Sequence, residues 1–250
     1  MNILEYIFGK NPVIELIKSG HEVSEIFMEN SPAKKPFFRE VIAKMRELKK
    51  VIKYSYVTRE KLTNMCLSPD HQGIAAEFGG FKTAGIQAYL KEIGKKEDIF
   101  LFILDCIHDP HNLGAILRSS YSLGVSGCVI FEKRSAKINA TVAKTSAGAV
   151  FHSKLIMSEG IFDAITNLRG AGFTVLGCEM NAEKNIFDYN LKKGRYAVIL
   201  SNEGEGLSGK SQSKIDGTVK IPMAADFDSL NVSVTAGIIA YEYARQGFAK

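Results

Sequence analysis

Two polar residues near the C-terminus, Ser229 and Asn231, stand where a β-rich run gives way to a helical pattern. The run before them reads TVKIPM, and the apolar residues after them, in VSVTAGIIAYEYARQ, recur at helical spacing. Either side chain can accept hydrogen bonds from the free N–H groups at a helix start, and the same groups also bind ligands. The segment therefore predicts a capped helix and a candidate ligand site at a strand–helix junction.

A second candidate is Arg118, in the segment DCIHDPHNLGAILRSSYSLGV, which follows the apolar run IFLFILD. Pro110 and Asn112 indicate a turn and a helix start, and an apolar stripe follows, formed by Leu113, Ile116, Leu117 and Leu123. Arg118 lies about 150° from the centre of that stripe, so by pattern alone it is a solvated arginine. The same turn contains four potential metal ligands, which are Asp105, His108, Asp109 and His111. Their spacing matches no known metal motif, so no metal site is expected.

The segment GEGLSGKS, residues 204–211, matches the phosphate-loop pattern G-x-x-x-x-G-K-S, so an NTPase is an alternative. A phosphate loop needs a helix that begins at its Lys-Ser pair, because the helix N–H groups and dipole face the phosphates. Here Gly217 and a β-rich run follow too closely for more than about two helical turns. The Asp-ending run IFLFILD also precedes the loop, whereas the usual order is the reverse. We therefore interpret the match as a coincidence.

The elements that would position these residues follow a regular order. The chain has 250 residues, of which 46% are hydrophobic and 24% are charged, and this suits a folded protein of two domains. From residue 99 onward, β-rich runs alternate with helix-like stretches, the pattern of parallel βαβ units. Ligands of such sheets lie beyond the carboxyl ends of the strands, so chemistry is expected in the loops that open at Asp105, Ser201 and Met223. We predict an α/β protein with one domain over 1–80, a linker over 81–97 and a second domain over 98–250.

The net charge of +5 is modest but unevenly distributed. Residues 1–95 contain 15 Lys and Arg against 11 Asp and Glu, and eight of these cations crowd a predicted amphipathic helix within residues 34–53. Its basic face suits either solvent or nucleic-acid phosphates. The cysteines are widely spaced without a C-x-x-C pair, so reduced core thiols are expected at Cys66, Cys106, Cys128 and Cys178. Neither a signal peptide nor a membrane span is apparent, which predicts a cytoplasmic protein without a membrane partner.

Three segments, taken in order, resemble the motifs of the SpoU (TrmH-like) RNA 2'-O-ribose methyltransferases. They are NLGAILR at 112–118, SNEGEGLS at 201–208 and IPMAADFDSLNVSV at 221–234. Near the N-terminus, FGKNPVIELIKSG and HQGIAAEF resemble the L30e-like, ribosomal-protein-type RNA-binding module that precedes many of these enzymes. The resemblance covers essentially the whole chain. Because that subgroup commonly modifies a guanosine of large-subunit ribosomal RNA, it implies methylation of a ribose 2'-hydroxyl there.

The resemblance also implies a fold, a cofactor and an assembly. The fold would be a C-terminal SPOUT-type parallel sheet with a deep trefoil knot, preceded by a small α/β L30e-like domain that supplies RNA affinity. S-adenosylmethionine would be held by nine residues of the knot loops: Leu200, Ser201, Asn202, Glu203, Gly204, Ile221, Met223, Ser229 and Leu230. RNA and a second copy of the chain are the implied partners, with the active site near the interface of a homodimer and without a metal.

Five residues align with the family's catalytic positions: Arg118, Asn112, Glu203, Ser229 and Asn231. The resemblance gives Arg118 the central role. Because a guanidinium stays protonated in proteins, we favour a shared role in which Arg118 grips a phosphate beside the target ribose and stabilises the developing alkoxide. That phosphate, or a deprotonated Arg118, would take the proton. Asn112 and Glu203 would orient Arg118, whereas Ser229 and Asn231 would hold the loop and the ribose.

Two positions depart from the family pattern, because Ser201 and Ala225 stand where most members have glycine. If either position required a positive φ, the backbone would be strained by about 1 kcal/mol or more and the cofactor pocket would narrow. A non-catalytic RNA-binding protein on the same fold is therefore a competing hypothesis. Transfer RNA is the alternative substrate, although the two-domain layout favours ribosomal RNA. Antibiotic-resistance methylases share these motifs, so self-protection is a further alternative role.

Overall fold

A computed structural model of the chain describes residues 5–133, 135–202, 212–225 and 229–248. The first elements are β1 (Glu5–Phe8), α1 (Lys10–Lys18), β2 (Val23–Glu29), α2 (Lys35–Glu47), β3 (Lys53–Val57), α3 (Arg59–Cys66) and β4 (Ile74–Phe78). The next are β5 (Ala84–Gly85), α4 (Ile86–Ile93), β6 (Ile99–Asp105), α5 (Pro110–Ser122), β7 (Gly127–Phe131), α6 (Ala140–Thr145) and β8 (Leu155–Ser158). The last are α7 (Ile161–Gly170), β9 (Thr174–Cys178), β10 (Lys184–Asn185), β11 (Arg195–Ser201), β12 (Gly217–Lys220) and α8 (Val232–Phe248). Short 3-10 helices occupy Pro32–Lys34, Ala149–Phe151 and Ile186–Asp188.

These elements form two compact units. The first unit contains the residues up to Lys82 together with Ile138–His152, and the second contains Thr83–Lys137 and the residues from Ser153 onward. The predicted domains, 1–80 and 98–250, therefore differ from the observed units in two places. One is the predicted linker, and the other is an excursion of the chain between β7 and β8.

The segment predicted as a linker, residues 81–97, is largely structured and contributes to the second unit. β5 pairs in parallel with β8, and Ile86 and Tyr89 of α4 are buried in the core of this unit. The prediction failed because a two-residue strand has no periodicity of its own, and its partner strand is far away in sequence. The Gly- and Lys-rich composition indicates a connector, but the segment pairs with the sheet and packs in the core.

The segment Ile138–His152 packs with the first unit although it lies far along the chain. Asn139 caps α6, since its side-chain oxygen accepts a hydrogen bond from the N–H of Val142 at 3.1 Å. Phe151 joins an aromatic cluster with Phe81, stacked at 5.5 Å between ring centroids, and with Phe78 at 5.8 Å. These contacts bury apolar rings, so the segment belongs energetically to the first unit.

The first unit is built on a four-stranded sheet with the strand order β1-β4-β2-β3. β4 is antiparallel to both β1 and β2, whereas β2 and β3 run parallel. Leu62 of α3 joins Phe8, Phe27 and Ala75 in a buried cluster on one face. Because neighbouring strand residues point to opposite faces, Ile26 and Met28 lie on the other face, which α2 covers. β3 is an edge strand of this sheet.

The second unit is built on an eight-stranded sheet with the order β10-β12-β9-β11-β6-β7-β8-β5, in which every pairing is parallel. All seven residues of β6 are buried, as expected for a central strand covered on both faces. From β6 the chain builds β7 and β8 on one side and then places β9 and β11 on the other. Such a reversal of strand order creates a crevice at the carboxyl ends of the strands.

Within the described ranges, no helix is long and apolar enough to cross a bilayer. The four cysteines form no disulfide, which confirms the prediction of free thiols, and Cys106 and Cys128 are buried. Burial raises the pKa of Cys66 to about 11 and that of Cys128 to about 12, although a hydrogen bond with Ser120 opposes the second shift. These thiols are therefore protonated and unreactive near neutral pH.

Two histidines make the first unit sensitive to acid. His71 is fully buried, and its Nδ1 accepts a hydrogen bond from the N–H of Gly73 at 3.0 Å, so the ring is neutral. Burial lowers the pKa of His71 and of His21, with smaller contributions from nearby cations, including Arg59 for His71 and Lys82 for His21. Because an unfolded histidine titrates near pH 6.5, stability is fully present above about that pH and is lost as the pH falls below it.

We therefore expect the free energy of unfolding to fall between about pH 7 and pH 5, measured by urea unfolding at each pH. The fall should be smaller in a His71→Gln variant, which lacks the group that must take up a proton on unfolding. A His108→Gln variant, altered at an exposed loop histidine, serves as the control and should keep the full fall. Identical pH dependence in His71→Gln and in the natural chain would contradict this origin.

Candidate functional site

The carboxyl ends of four neighbouring strands meet at one edge of the large sheet. Ser201, the last residue of β11, lies opposite Asp105, the last residue of β6. On the other side of β11, Cys178 ends β9 and lies opposite Val219 of β12. The loops that leave these ends are therefore brought together by the register of the sheet.

A cleft opens among these loops and encloses about 520 Å³ when its open mouth is included. Its described lining consists of Cys178, Glu179, Met180, Leu200, Ser201, Ile221, Met223, Ser229, Leu230 and Thr235. Six residues predicted as cofactor ligands are among them: Leu200, Ser201, Ile221, Met223, Ser229 and Leu230. Asn202 is exposed and does not line the cleft. Glu203 and Gly204 lie outside the described residues.

Four lining residues were missed by the sequence prediction. Cys178 is the last residue of β9, Glu179 and Met180 follow it, and Thr235 lies in the first turn of α8. The run TVLGCEM had a strand-like pattern, so the rule about strand ends applied to it as well. The sequence alone does not give the strand order. The carboxyl end of β9 lies beside Ser201 because β9 pairs with β11.

The cleft combines apolar walls with a few polar groups. Five of its ten described lining residues are leucine, isoleucine or methionine, and Ser201, Ser229 and Thr235 add hydroxyls. Glu179 contributes a carboxylate, whose Oε1 accepts a hydrogen bond from Gln212 Nε2 at 2.7 Å. Among the described lining residues there is no lysine or arginine. Such a cleft suits a ligand with an apolar body and hydrogen-bonding or cationic groups better than a polyphosphate.

Cys178 is not a nucleophile in this cleft. Burial, reinforced by the neighbouring Glu179 carboxylate, raises the pKa of its thiol to about 11. A thiol is a nucleophile only as the thiolate, which is scarce at neutral pH when the pKa is this high. Covalent catalysis through this residue is therefore not supported.

Asn231 caps α8 and also links it to α5. Its Oδ1 accepts hydrogen bonds from the N–H of Ser233 at 2.9 Å and from Ser233 Oγ at 2.6 Å, which confirms the predicted cap. Its Nδ2 donates to Oδ1 of Asn112, in the first turn of α5, at 3.2 Å. The structure thus brings together two of the predicted catalytic residues, and Asn231 directly follows Leu230 of the cleft.

Arg118 lies two turns further along α5 and is exposed, as its position in the sequence pattern predicts. The guanidinium makes no hydrogen bond or ion pair with any described residue, and it does not line the cleft. α5 packs side by side with α8, where Ser119 approaches Gly237. The structure therefore leaves Arg118 available to a ligand, and it shows no contact between Arg118 and Asn112. Glu203, its other predicted partner, lies outside the described residues.

The two departures from glycine introduce no backbone strain. Positive φ angles occur at five described residues other than glycine, and neither Ser201 nor Ala225 is among them. Ser201 instead continues β11 in regular register. One of the five is Cys106, with φ of 57° immediately after β6, so the strained position at this edge lies in the β6–α5 loop.

The alternative sites proposed from sequence gain no support from the described residues. Asp109, one of the four potential metal ligands, caps α5 by accepting a hydrogen bond from the N–H of His111 at 2.9 Å. The described parts of the chain form no group of three or more His, Cys, Asp or Glu side chains suited to a metal. The phosphate-loop pattern, residues 204–211, lies outside the described residues, and β12 begins at Gly217.

An Asn231→Ala variant is expected to lose about 1 kcal/mol of stability, because the first N–H groups of α8 lose their side-chain acceptor. An Asn231→Ser variant should stay close to the natural chain, since serine caps helices about as well but is too short to reach Asn112. Urea unfolding of the two variants gives the comparison. Equal destabilisation of both would mean that the contact with Asn112, rather than the cap, carries the energy.

The sequence matches two family models. The first is described as the SpoU rRNA Methylase family and covers residues 99–241. The second is described as RNA 2'-O ribose methyltransferase substrate binding and covers residues 6–84. The substrate-binding match ends at Ala84 in β5, and the methylase match begins at Ile99, the first residue of β6, so α4 lies between them. The methylase match contains every described residue of the cleft.

Relatives and solved structures agree with these models. A Staphylococcus aureus (strain COL) protein assigned to the TrmH family of tRNA/rRNA methyltransferases is 35% identical over 243 residues, which are 96% of this chain and 95% of that protein. A Bacillus subtilis (strain 168) protein assigned to the same family is 33% identical over 97% of this chain and 96% of its own length.

The crystal structure of the SpoU methyltransferase AviRb from Streptomyces viridochromogenes is 23% identical, with a TM-score of 0.78 over 98% of this chain and 90% of that one. Its complex with the cofactor AdoMet gives a TM-score of 0.77 at 22% identity, over 98% and 91% of the two chains. At these identities the likeness establishes the fold. The family models and the close relatives establish more, because they match the sequence over nearly its whole length: the chain belongs to the SpoU rRNA methylase family.

Proposed function

We propose that this protein transfers a methyl group from S-adenosylmethionine to a ribose 2'-hydroxyl of RNA. The observation that carries the proposal is the cleft at the strand ends, which Asn231 links to α5, the helix that presents Arg118. The family membership and the AdoMet complex of AviRb support the same reaction. We disfavour an NTPase, because β12 begins at Gly217, soon after the Lys-Ser pair, and leaves little room for the helix that a phosphate loop needs.

The residues of the cleft fit S-adenosylmethionine. The molecule has an adenosine with ribose hydroxyls, a positively charged sulfonium and an amino-acid end. Leu200, Ile221 and Leu230 offer apolar walls to the adenine, and the Glu179 carboxylate can accept hydrogen bonds from ribose hydroxyls. The absence of lysine and arginine from the described lining suits a cationic ligand. When bound, S-adenosylmethionine supplies an electrophilic methyl group.

Arg118 acts on the RNA in this proposal. Guanidinium groups remain charged in proteins and bind phosphate oxygens through two parallel hydrogen bonds. Arg118 grips the phosphate beside the target ribose and stabilises the negative charge that develops on the 2'-oxygen. The proton of the 2'-hydroxyl passes to an oxygen of that phosphate, since a charged guanidinium cannot accept it. Asn112 and Asn231 position the starts of α5 and α8. Glu203 orients Arg118, and Ser229 holds the loop and the ribose.

The protein works as a homodimer in this proposal, with the active site near the subunit interface. Val234, Tyr241 and Phe248 are exposed on α8 at intervals of seven residues, and Tyr121 is exposed on the adjacent helix α5. A line of exposed apolar side chains with this spacing is typical of helix packing between subunits. It lies on the same helix pair as Arg118. Light scattering of the natural chain and of Tyr241→Arg tests the assembly, and a monomeric natural chain would contradict it.

Two features of the fold also belong to the proposal. One is a deep trefoil knot in the C-terminal tail, and the other is an L30e-like character of the first unit, which would bind RNA. The mixed four-stranded sheet with helices on both faces supports the second feature. The match of residues 6–84 to a substrate-binding model supports it as well.

The substrate we propose is ribosomal RNA, with a guanosine of the large subunit as the target. The experiment is mass-spectrometric mapping of ribose methylation in total RNA from cells with and without the protein. One 2'-O-methyl mark in ribosomal RNA should disappear, and the purified protein should restore it. RNA with a 2'-deoxy residue at the mapped position should accept no methyl group.

Other outcomes of the mapping are equally decisive. If a mark is lost from transfer RNA alone, transfer RNA is the substrate. The family name of the relatives, tRNA/rRNA methyltransferase, includes that substrate as well. A methyl group lost from a base would contradict the ribose reaction. Unchanged RNA, together with no binding of S-adenosylmethionine, would favour a non-catalytic RNA-binding protein.

A further inference from the structure

The first unit has two exposed tyrosines on the edge of its sheet. Tyr54 and Tyr56 are two residues apart on β3, so both side chains lie on the sheet face that α2 covers. Their rings stand 6.3 Å apart between centroids, yet the residues are 43% and 52% exposed. Among the described strands, β3 has a neighbour on one side alone, β2. Two aromatic rings are therefore presented to solvent past the edge of the sheet.

The orientation of α2 follows from two aromatic contacts. Phe38 lies 6.3 Å from Tyr56 between ring centroids, which places this helix face over β3. Phe37 projects to the opposite flank, where Lys10 of α1 lies 4.9 Å from the centre of its ring. The flank of α2 that faces away from α1 therefore overlooks the exposed edge of β3.

That flank of α2 is basic. Lys35, Arg39 and Arg46 are rotated by about 60° to 100° from Phe38 around the axis of α2, and Phe37 is rotated by about 100° in the opposite direction. All three are exposed, and their side chains make no hydrogen bond or ion pair with the described residues. Residues 34–53 carry eight Lys or Arg against two Glu. The positive charge on this flank is thus not neutralised within the described part of the chain.

We propose that Tyr54, Tyr56, Lys35, Arg39 and Arg46 form a binding surface for single-stranded RNA, which we call the edge surface. The proposal rests on RNA being the substrate. It states that the stretch of RNA beside the target nucleotide binds to this surface. Unpaired bases stack on exposed aromatic rings, and a row of unpaired cations follows the phosphates. A base-paired helix hides its base faces, so it cannot use the two tyrosines.

The chemistry distinguishes RNA from a second copy of the chain. An open strand edge can pair with another strand, but the edge surface has three cations beside the edge that form no ion pair with any described residue. Two copies would bring these cations towards each other, whereas RNA would neutralise them. We therefore expect the edge surface to bind a polyanion, and its substitution to leave the oligomeric state unchanged.

The test measures RNA affinity of the full chain by fluorescence anisotropy, with a labelled single-stranded RNA of about 12 nucleotides and the matching duplex. We compare Tyr54→Ala/Tyr56→Ala with Tyr54→Phe/Tyr56→Phe, which keeps the rings. Phe187→Ala removes an aromatic residue of the second unit that is 48% exposed, and it serves as the matched control. Thermal melting and S-adenosylmethionine binding of each variant verify that the chain is folded.

The alanine variant should bind the single strand at least about tenfold more weakly, since stacking on one ring alone contributes that much. The phenylalanine and control variants should bind as the natural chain does. In methyl transfer, the alanine variant should raise KM for RNA and leave kcat unchanged.

A second variant, Lys35→Gln/Arg39→Gln/Arg46→Gln, removes the three charges. The plot of log affinity against log salt concentration should become less steep by about 2, because three contacts with single-strand phosphates contribute about that much to its slope.

Several results would overturn the edge surface. One is unchanged single-strand affinity of the alanine variant while the natural chain binds and methylates RNA. Equal weakening for the single strand and the duplex would remove the stacking role, and a changed oligomeric state would assign the surface to a second copy. If the natural chain neither binds the probes nor methylates any RNA, the proposed function fails first, and the edge surface fails with it.

Discussion

An Arg118→Ala variant is expected to transfer methyl groups about 10²–10³ times more slowly than the natural chain, because it loses the charge that stabilises the developing alkoxide. Its affinity for S-adenosylmethionine should be nearly unchanged, since Arg118 does not line the cleft. The fold should also survive, because the side chain is exposed and has no partner among the described residues. Single-turnover methyl transfer and titration calorimetry measure the two quantities separately.

Two further variants refine this result. Arg118→Lys keeps a positive charge but loses the planar fork that binds phosphate through two hydrogen bonds, so its rate should lie between those of arginine and alanine. Lys91→Ala removes an exposed cation of α4 and should leave the rate unchanged. If Arg118→Ala retains most of the natural rate, the proposed mechanism loses its central residue. Equal loss in all three variants would indicate a general effect of charge on RNA binding.

A Ser201→Trp variant is expected to weaken S-adenosylmethionine binding by about 100-fold or more, because an indole placed in the cleft displaces most of the contacts that a small ligand buries. Ser201 ends β11 and is partly exposed towards the cleft, so the larger side chain can extend into it without disturbing the buried part of the strand. Methyl transfer should be lost together with cofactor binding. Calorimetry measures the affinity, and a melting curve verifies the fold.

The matched variants are Ser201→Ala and Ser201→Gly, which leave the cleft open. Both should bind S-adenosylmethionine nearly as well as the natural chain. Glycine should bring no gain, because Ser201 lies in a regular strand without a positive φ. If the tryptophan variant binds the cofactor normally, the cleft is not the cofactor site. A large gain in Ser201→Gly would show that serine narrows the site.

The sequence predicted those parts of the fold and site whose signals are local. The run IFLFILD coincides with β6, since a strand buried on both faces is a continuous apolar run. Arg118 was placed on the exposed side of a helix by the 3.6-residue period, and Asn231 caps α8. Ser229, the other residue considered for that cap, lines the cleft instead. Local periodicity and capping chemistry decided each of these predictions.

The parts that escaped prediction depend on pairing between distant segments. The loop after β9 joins the cleft only because β9 lies between β11 and β12. The β5 segment has the composition of a linker, and β8, its partner among the described strands, lies beyond three further helices in the sequence. The contact between Asn112 and Asn231 likewise spans more than a hundred residues. A single sequence contains no measure of such proximity, so only the folded chain reveals it.

The excursion of residues 138–152 decides how the protein can be dissected. Val142, Val150 and Phe151 are buried, and they depend on partners that the chain supplies before Lys82. A shortened chain that starts after Lys82 would uncover these side chains in the middle of the piece that remains, and aggregation would obscure any loss of RNA affinity. The chain passes between the two units three times, after Lys82, Lys137 and His152, so neither unit can be separated and grafted onto another protein by a single cut.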